Sequence, residues 1–265
     1  MVRSGSDTLV IIPAFNEREA LPGTLRELRA EVPDLDVLVV DDGSSDETAA
    51  LARAEGVRAV RLPFNLGVGG AVRTGLHYAR DEGYRRAVVF DADGQHSPQA
   101  IRTLLAALDE GADLVVGSRF MEGADPYELG RSRRRAMRLL QSIVRRLTGQ
   151  PFTDTTSGFR AFDRPVIELL ARDYPAEYLA DTVEVLLMVA YEGFRIVEVP
   201  ASMRARVLGQ PSNRNFKLIL NYLRLLVGIT SSASRRAKVL RARAAAEPVS
   251  PVGPPGTEPN SGGTR

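Results

Sequence analysis

The chain has 265 residues, of which 44% are apolar and 26% charged, a composition typical of a globular protein with a sizeable core. It contains no cysteine and only two histidines, which excludes disulfides, thiolate metal sites and a cysteine nucleophile and argues against a multi-histidine zinc site. The net charge of +2 is ordinary, but its distribution along the chain is not.

Strand and helix signals alternate in the first half of the chain. Short runs rich in Val and Ile predict five strands, at residues 8–13, 36–41, 57–62, 86–91 and 113–120. Helices are predicted between them, at residues 17–32, from cap candidates at 44–46 to Gly56, at 69–83, and at 98–111 with Ser97 as N-cap. Strands that are apolar on both faces and separated by helices indicate an α/β fold with a mostly parallel central sheet flanked by helices.

The second half is less regular. It predicts a helix at 131–148, a short strand at 159–162, a helix at 182–191, a strand at 194–200 and an apolar helix at 216–227. Residues 247–265 are rich in Pro, Gly, Ser and Thr, and we expect a disordered tail there. No signal peptide and no run of about 20 apolar residues is visible, so we expect a cytoplasmic chain.

Positive charge is concentrated in two segments. Residues 129–150 carry seven arginines, residues 204–243 carry eight arginines and two lysines, and neither segment has an acidic residue. The two segments hold +17 and leave −15 on the rest of the chain. An acidic body with two basic segments predicts an anionic partner such as phosphate groups or a membrane surface. Nucleic acid is not expected, because no recognition motif or set of stacking aromatics accompanies the charge.

Polar, turn-forming residues follow four successive predicted strands, in the segments 13–17, 41–44, 65–67 and 91–95. Ligands of open α/β sheets bind at the carboxyl ends of the strands. The sequence therefore predicts the binding site at this edge of the sheet.

The segment Asp91-Ala92-Asp93-Gly94-Gln95 has the residue types of a divalent-cation site. Two carboxylates one residue apart at a strand end can converge on one ion, while the backbone at Ala92 meets the ligand. Oxygen donors favour Mg²⁺ or Mn²⁺, and Gln95 offers a further oxygen. The alternative is that both aspartates cap a turn in which Gly94 has a positive φ.

Three other strand-end positions are candidates for nucleotide binding. Asp42 can accept hydrogen bonds from a base or ribose, while Gly43 and Ser44 form the turn. Glu17 can bind nucleotide hydroxyls or simply place a favourable charge at a helix N-terminus. Gly70 belongs to a glycine-rich segment that either lets the backbone pass close to a nucleotide or serves helix packing.

Seven short motifs occur in an order that carries a family resemblance. They are Pro-Ala-Phe-Asn-Glu (13–17), Asp-Asp-Gly-Ser (41–44), Asn-Leu-Gly…Gly (65–70), Asp-Ala-Asp-Gly-Gln (91–95), Gly-Ser-Arg-Phe (117–120), Thr-Ser-Gly-Phe-Arg (156–160) and Arg-x-x-Gly-x-Pro-Ser (206–212). The set, which spans roughly residues 8–230, resembles family-2 glycosyltransferases of the GT-A fold, in particular the dolichyl- and polyprenyl-phosphate mannosyl- and glucosyltransferases. The resemblance implies an inverting transferase that uses a nucleotide-activated sugar and Mg²⁺ or Mn²⁺.

The resemblance also implies roles for individual residues. It places the nucleotide around Pro13, Phe15, Glu17 and Asp42. It places Asp91 and Asp93 at the metal and diphosphate, with Gln95 as a metal ligand. Arg119 and Arg206 would hold sugar or acceptor phosphate oxygens, and with Asp93 they form the predicted catalytic set. For both arginines the alternative is a surface ion pair.

The need for a general base depends on the acceptor. A phosphate acceptor is already ionised and needs only guanidinium groups that align it with the donor. Family members that act on hydroxyls carry an acidic base in the second half of the chain. Asp181 and Glu184 lie where that base is expected, and Asp154 is the second choice; for Glu184 the alternative is an acidic residue in the first turn of a helix. Asp181 has the alternative role of a helix N-cap. The chain has no Trp and hence no Gln-x-x-Arg-Trp motif, which argues against polymer synthesis.

The basic segments interleave arginines with large apolar residues. This pattern suits helices that lie on an anionic leaflet, and the alternative is core helices with solvated basic faces. We predict a GT-A domain at 1–213, an amphipathic basic segment at 214–246 and the tail at 247–265.

The function predicted from the sequence is transfer of a hexose from a donor of the GDP-mannose or UDP-glucose type to a polyprenyl phosphate, at the cytoplasmic face of a membrane. Two alternatives stay open. One is transfer to a lipid or soluble hydroxyl. The other is a non-catalytic subunit that binds a nucleotide-sugar and works with a membrane-protein partner.

Overall fold

The computed structural model describes residues 5–125, 131–174 and 181–204, with side chains from Arg134 and Thr182 onward in the two later ranges. The strands are β1 (Thr8–Ala14), β2 (Asp36–Asp41), β3 (Arg58–Arg61), β4 (Arg86–Val89), β5 (Leu114–Ser118), β6 (Arg160–Asp163) and β7 (Ile196–Pro200). The helices are α1 (Leu21–Glu31), α2 (Thr48–Ala54), α3 (Val68–Asp81), α4 (Ala100–Asp109), α5 (Arg131–Thr148), α6 (Arg164–Asp173) and α7 (Asp181–Tyr191).

The strands form one seven-stranded sheet in the order β3-β2-β1-β4-β6-β5-β7. Every neighbouring pair is parallel except those that include β6, which runs antiparallel to β4 and β5. The predicted α/β fold with a mostly parallel sheet is confirmed. Because β6 is reversed, the chain enters it at the edge where the parallel strands end. The segment before β6 therefore joins the loops that follow the parallel strands.

The core explains why the central strands are apolar on both faces. Val10 and Ile12 of β1 are fully buried in a cluster with side chains of α1 and α4. Leu9 and Ile11 are equally buried, and alternation along a strand directs them to the opposite face. A strand covered on both sides has no polar face, which is the pattern that the sequence shows.

The starts of α1, α2 and α4 differ from the prediction by more than one residue. α1 begins at Leu21 rather than at residue 17, with Pro22 in its first turn, where the missing N–H of proline costs nothing. α2 begins at Thr48, whose N–H bonds the Asp46 carboxylate at 3.0 Å. α4 begins at Ala100 without a side-chain cap, so the prediction that Ser97 caps it is wrong. Ser97 instead accepts the Ala100 N–H through its backbone carbonyl at 3.0 Å.

The second half follows the predicted order with one addition. The helix at 131–148 is confirmed as predicted, and Gly149, with φ of 75°, ends it. α6 was not predicted; it begins directly after β6 with proline in its first turn. The predicted helix at 216–227, the tail at 247–265 and the boundaries at 213 and 246 lie outside the described residues. Among the described residues no helix is long and apolar enough to cross a membrane.

Candidate active site

The predicted ligand-binding segments meet at the carboxyl edge of the sheet. Pro13 lies in β1 opposite Val40, beyond the part of the strand that pairs with β4. The ends of β1 and β2 are joined by the Asp42 N–H, which donates to the Ala14 carbonyl at 2.8 Å. The loops after β4, β5 and β7 and the segment before β6 open on the same edge.

The loop after β1 is fixed to the loop after β2 by side chains. Asn16 has φ of 55°, a conformation that Asn tolerates better than most residues. Its N–H donates to Ser44 Oγ at 3.0 Å and its side-chain oxygen accepts the Ser45 N–H at 2.9 Å. The Glu17 N–H donates to Thr48 Oγ1 at 3.0 Å. These bonds fix the backbone at Asn16 and Glu17, next to Phe15, whose side chain is exposed.

Asp42 connects the same region to the loop after β3. Its side chain is buried, and Oδ1 accepts the Leu66 N–H at 2.7 Å. Burial raises the pKa of the Asp42 carboxyl above its ordinary value, and the N–H groups of Leu66 and Gly67 only partly oppose that rise. Asp42 therefore organises the loop, and its contact with a nucleotide stays a prediction.

Two glycines allow these loops to pack closely. A Cβ on Gly43 would lie 2.6 Å from the backbone carbon of Phe64, and φ there is +71°, so a side chain is excluded on two grounds. A Cβ on Gly70 would lie 2.5 Å from Leu66 Cβ. Packing of α3 against the loop is thus sufficient to require Gly70, whichever ligand the loop binds.

The acidic segment after β4 has defined contacts at each position. Asp93 Oδ1 accepts the Gln95 N–H at 3.0 Å, and the Ala92 carbonyl accepts the Thr24 hydroxyl at 2.9 Å. Gln95 pairs with Arg204 through the Arg204 N–H at 2.8 Å and through its own side-chain NH₂ at 3.2 Å. The acidic segment is therefore tied both to α1 and to the chain that follows β7.

Oxygen donors of this segment match the ligand preferences of Mg²⁺ and Mn²⁺. The side chains of Asp91, Asp93 and Gln95 are partly exposed at the edge of the sheet. No group of three or more His, Asp or Glu side chains within the described ranges is arranged to enclose a metal ion. The segment suits an ion that takes part of its coordination from substrate phosphates and water, as Mg²⁺ commonly does.

His96 contacts the acidic segment, and the sequence analysis did not single it out. Its side chain is buried, and Nε2 lies 3.3 Å from Asp91 Oδ2. The ring stacks on Phe159 with centroids 4.7 Å apart and meets Phe90 edge-on at 6.1 Å. The sequence could have drawn attention to His96 only because it directly follows Gln95. Nothing in the local pattern indicates that its ring contacts Asp91.

Arg119 and Asp154 form an ion pair beside the acidic segment. Nε and Nη2 of Arg119 donate to the two Asp154 carboxylate oxygens at 2.6 and 2.8 Å, and Nη2 also donates to Thr156 Oγ1 at 2.8 Å. The Asp154 side chain is fully buried and that of Arg119 is 12% exposed, so this is not the surface ion pair that was the alternative for Arg119. Arg119 Nη1 lies 4.0 Å from the sulfur of Met203, which forms a backbone bridge with His96.

The environment of Asp154 favours a holding role over that of a general base. Burial alone would raise the pKa of the Asp154 carboxyl, but the hydrogen bonds and charge of Arg119, with the Thr156 N–H, hold that pKa below its usual value. Both carboxylate oxygens are engaged by the guanidinium. To accept a proton, Asp154 would have to give up this bidentate pair.

Some predicted site residues belong to other parts of the chain. Arg206 and most of the second basic segment lie outside the described residues, and the Asp181 side chain does as well. Their predicted roles remain predictions.

The basic helix α5 has its apolar side chains in the protein interior. Met137, Leu140 and Val144 are buried, whereas the arginines at 134, 135, 138, 145 and 146 are exposed. Leu139 is the one large apolar residue of the described part of α5 that is more than half exposed, at 55%. For this helix, the structure therefore matches the alternative of a core helix with a solvated basic face.

A cavity of about 260 Å³ lies at the opposite edge of the sheet, where β1 and β2 begin. Polar residues of its lining are engaged with neighbours: the Tyr84 hydroxyl donates to Asp36 at 2.9 Å, and Arg58 donates to the Tyr78 hydroxyl at 2.6 Å. The position of the cavity separates it from all the strand-end loops described above.

Comparison with known proteins agrees with this architecture. The family model "Glycosyl transferase family 2" matches residues 9–170. The chain is 36% identical to a polyprenol monophosphomannose synthase of Mycolicibacterium smegmatis, over 78% of this chain and 81% of that protein. It is also 36% identical to an undecaprenyl-phosphate mannosyltransferase of Micrococcus luteus, over 76% of this chain and 85% of that protein.

A similar fold occurs in glucosyl-3-phosphoglycerate synthase of Mycobacterium tuberculosis, solved with Mn²⁺, uridine diphosphate and glucosyl-3-phosphoglycerate. The TM-score is 0.67 at 24% identity, covering 86% of this chain and 80% of that one. The GT-A fold implied by the sequence resemblance is thereby confirmed. Six of the seven motifs lie in the described residues, at one edge of this sheet, and the family model covers most of the sheet; the chain belongs to glycosyl transferase family 2.

Proposed function

We propose that the protein transfers a hexose from a nucleotide-activated sugar to a polyprenyl phosphate, with inversion at the anomeric carbon. One observation carries the proposal. The acidic segment at 91–95, which has the donors of a divalent-cation site, and Arg119, which is held by Asp154, lie together at the carboxyl edge of the sheet. Met203 links them, since it contacts Arg119 and bridges to His96. This combination of an acidic metal-ligand set and a guanidinium group suits transfer between two phosphate-bearing substrates.

On the donor side, Asp91, Asp93 and Gln95 would hold Mg²⁺ or Mn²⁺, which neutralises charge that develops on the diphosphate leaving group. Asp42 and Glu17 would bind the nucleoside, and Phe15 borders it. The contacts of the acidic segment with α1 and with Arg204 keep its backbone in place at Ala92 and Gln95 without the substrate. Such preorganisation spares the enzyme rearrangement during the reaction.

On the acceptor side, a phosphate monoester brings its own nucleophile. An ionised phosphate oxygen attacks the anomeric carbon while the bond from that carbon to the diphosphate oxygen breaks on the opposite face. The electron pair leaves with the nucleoside diphosphate, and no proton has to be removed. This agrees with Asp154, which is engaged by Arg119 rather than poised as a base.

The two mannosyltransferase relatives support the choice of acceptor. Their names specify polyprenol and undecaprenyl-phosphate products or substrates, and each aligns over more than four fifths of its length. The apolar face of α5 is buried in the protein and does not insert into a membrane. Its exposed arginines still support electrostatic contact with an anionic membrane surface, because each basic residue near such a surface contributes about 1 kcal/mol. We place the protein at the cytoplasmic face of a membrane.

The test is incubation of the purified protein with labelled GDP-mannose or UDP-glucose, polyprenyl phosphate and Mg²⁺ or Mn²⁺. We expect a labelled lipid with inverted anomeric configuration, determined by NMR, and no product with EDTA. Release of free hexose without a lipid product would contradict the proposal. So would binding of the nucleotide-sugar with no turnover for either donor and either metal.

A further inference from the structure

Glu198 of β7 holds the segment that carries Asp154. Its Oε2 accepts the Thr153 N–H at 2.7 Å and the Thr153 hydroxyl at 3.0 Å, while Oε1 accepts the Asp154 N–H at 2.8 Å. One carboxylate thus takes the N–H groups of two successive residues, one on each oxygen. Nothing in the sequence pattern singled out Glu198.

The segment depends on side chains for its position. Residues 151–158 contain no helix or strand, so neighbouring strands provide no ladder of bonds. Thr153 receives two more contacts: its carbonyl accepts the Gln141 NH₂ at 2.5 Å, and its hydroxyl lies 2.6 Å from that of Ser118. Glu198 supplies the charged member of this set, and hydrogen bonds to a charged acceptor are roughly twice as strong as neutral ones.

A chain of contacts leads from Glu198 to Arg119. The Asp154 N–H donates to Glu198, and both oxygens of the Asp154 carboxylate accept hydrogen bonds from Arg119. A shift of the segment would therefore turn the guanidinium. A displacement of about 1 Å in an aligned site can cost about 100-fold in rate.

We infer that Glu198 is a positioning residue, which acts through Thr153 and Asp154 to orient Arg119 toward the reacting phosphates. The inference rests on the proposed function for its kinetic consequence, but the orientation of Arg119 is measurable without turnover. Glu198 bonds the segment at Thr153 and Asp154, so the inferred role differs from the direct substrate binding proposed for the motif residues.

The chemistry of the contact selects the test variants. Glu198→Gln keeps the size of the side chain but has one accepting oxygen, and its NH₂ group would face an N–H donor. Glu198→Asp keeps both oxygens and the charge on a shorter stem. Glu192→Gln makes the same charge change at an exposed position close by in the sequence. It serves as the matched control.

Two measurements on these variants test the inference. In ¹⁵N NMR the Arg119 Nε–H, assigned through Arg119→Lys, should be shifted and protected from exchange in the wild type and in Glu192→Gln, and lose that protection in Glu198→Gln. In transfer assays Glu198→Gln should lower kcat by about 10- to 100-fold, with the dissociation constant for nucleoside diphosphate unchanged within about twofold. Glu198→Asp should recover part of the Nε–H protection and part of kcat.

The NMR result decides the inference even if the protein transfers no hexose to polyprenyl phosphate, a result that would count against the proposed function alone. An unchanged Arg119 Nε–H signal in Glu198→Gln would overturn the inference. Loss of nucleotide binding in parallel with loss of rate would also overturn it, because it would show a general structural defect in place of positioning.

Discussion

Asp154→Asn removes the charge that holds Arg119 while keeping the shape of the side chain. The wild-type carboxylate is fully buried and its partner is 12% exposed. Breaking such a pair by removing one partner costs about 3–5 kcal/mol, since the remaining charge is left without compensation. For a domain of this size, that loss lowers the melting temperature by about 6–20 °C.

The same variant carries a signature in its pH dependence. Because the pKa of Asp154 is below its usual value in the folded protein, the pair stabilises the folded state above the unfolded-state pKa of about 3.9, and this contribution is lost as the pH falls through the lower folded-state value. The difference in unfolding free energy between wild type and Asp154→Asn should be largest at neutral pH. It should shrink as the pH falls below about 4.

Urea denaturation of both proteins at several pH values measures this difference. Asp173→Asn is the matched control, because Asp173 pairs with Arg172 at 2.9 Å but their side chains are 46% and 70% exposed. An exposed pair contributes at most about 1 kcal/mol. If Asp154→Asn cost no more than Asp173→Asn, or if its cost were independent of pH, the account of a buried, charged clamp on Arg119 would be refuted.

Three further predictions concern the donor, the metal and the membrane. Asp93→Asn should abolish metal-dependent transfer without changing the melting temperature. EDTA should abolish the activity of the wild type until Mg²⁺ or Mn²⁺ is added. If the variant were active in metal-free buffer, Asp93 would not be a metal ligand. Asp42→Asn, which keeps an oxygen for the Leu66 N–H, should weaken GDP or UDP binding by about 1.5–3 kcal/mol in calorimetry, and an unchanged dissociation constant would confine Asp42 to the loop. Replacing Arg138 and Arg145 together by Gln should weaken binding to anionic vesicles, measured by co-sedimentation, by about 2 kcal/mol. If the wild-type protein bound neutral vesicles as well as anionic ones, the electrostatic account would be contradicted.

The position of the site was predictable from the sequence. In a parallel sheet all carboxyl ends share one edge, so the motifs around Asp42, Asp91 and Asp93 had to meet once their strands were recognised. The reversal of β6 was not predicted, yet it is what brings Asp154 to that edge. A strand of four residues carries too little pattern to reveal its direction.

Contacts between distant residues escaped prediction for a different reason. Glu198 is 45 residues from Thr153 in the sequence, and no local periodicity encodes such a pair. His96 likewise lies against Phe159, a residue from another loop. The pattern of α5 did indicate an amphipathic helix, but not that its apolar face would be buried in the protein rather than facing a membrane.

The account depends most on the claim that the nucleophile is an ionised phosphate. The direct measurement is hexose transfer by the wild-type protein to polyprenyl phosphate and to the matched polyprenol, which differ only in the phosphate group, under identical donor, metal and detergent conditions. We expect transfer to the phosphate and none to the alcohol, since Asp154 is engaged by Arg119 and is not available as a base. Equal or faster transfer to polyprenol would contradict this mechanism and favour a hydroxyl acceptor with a general base.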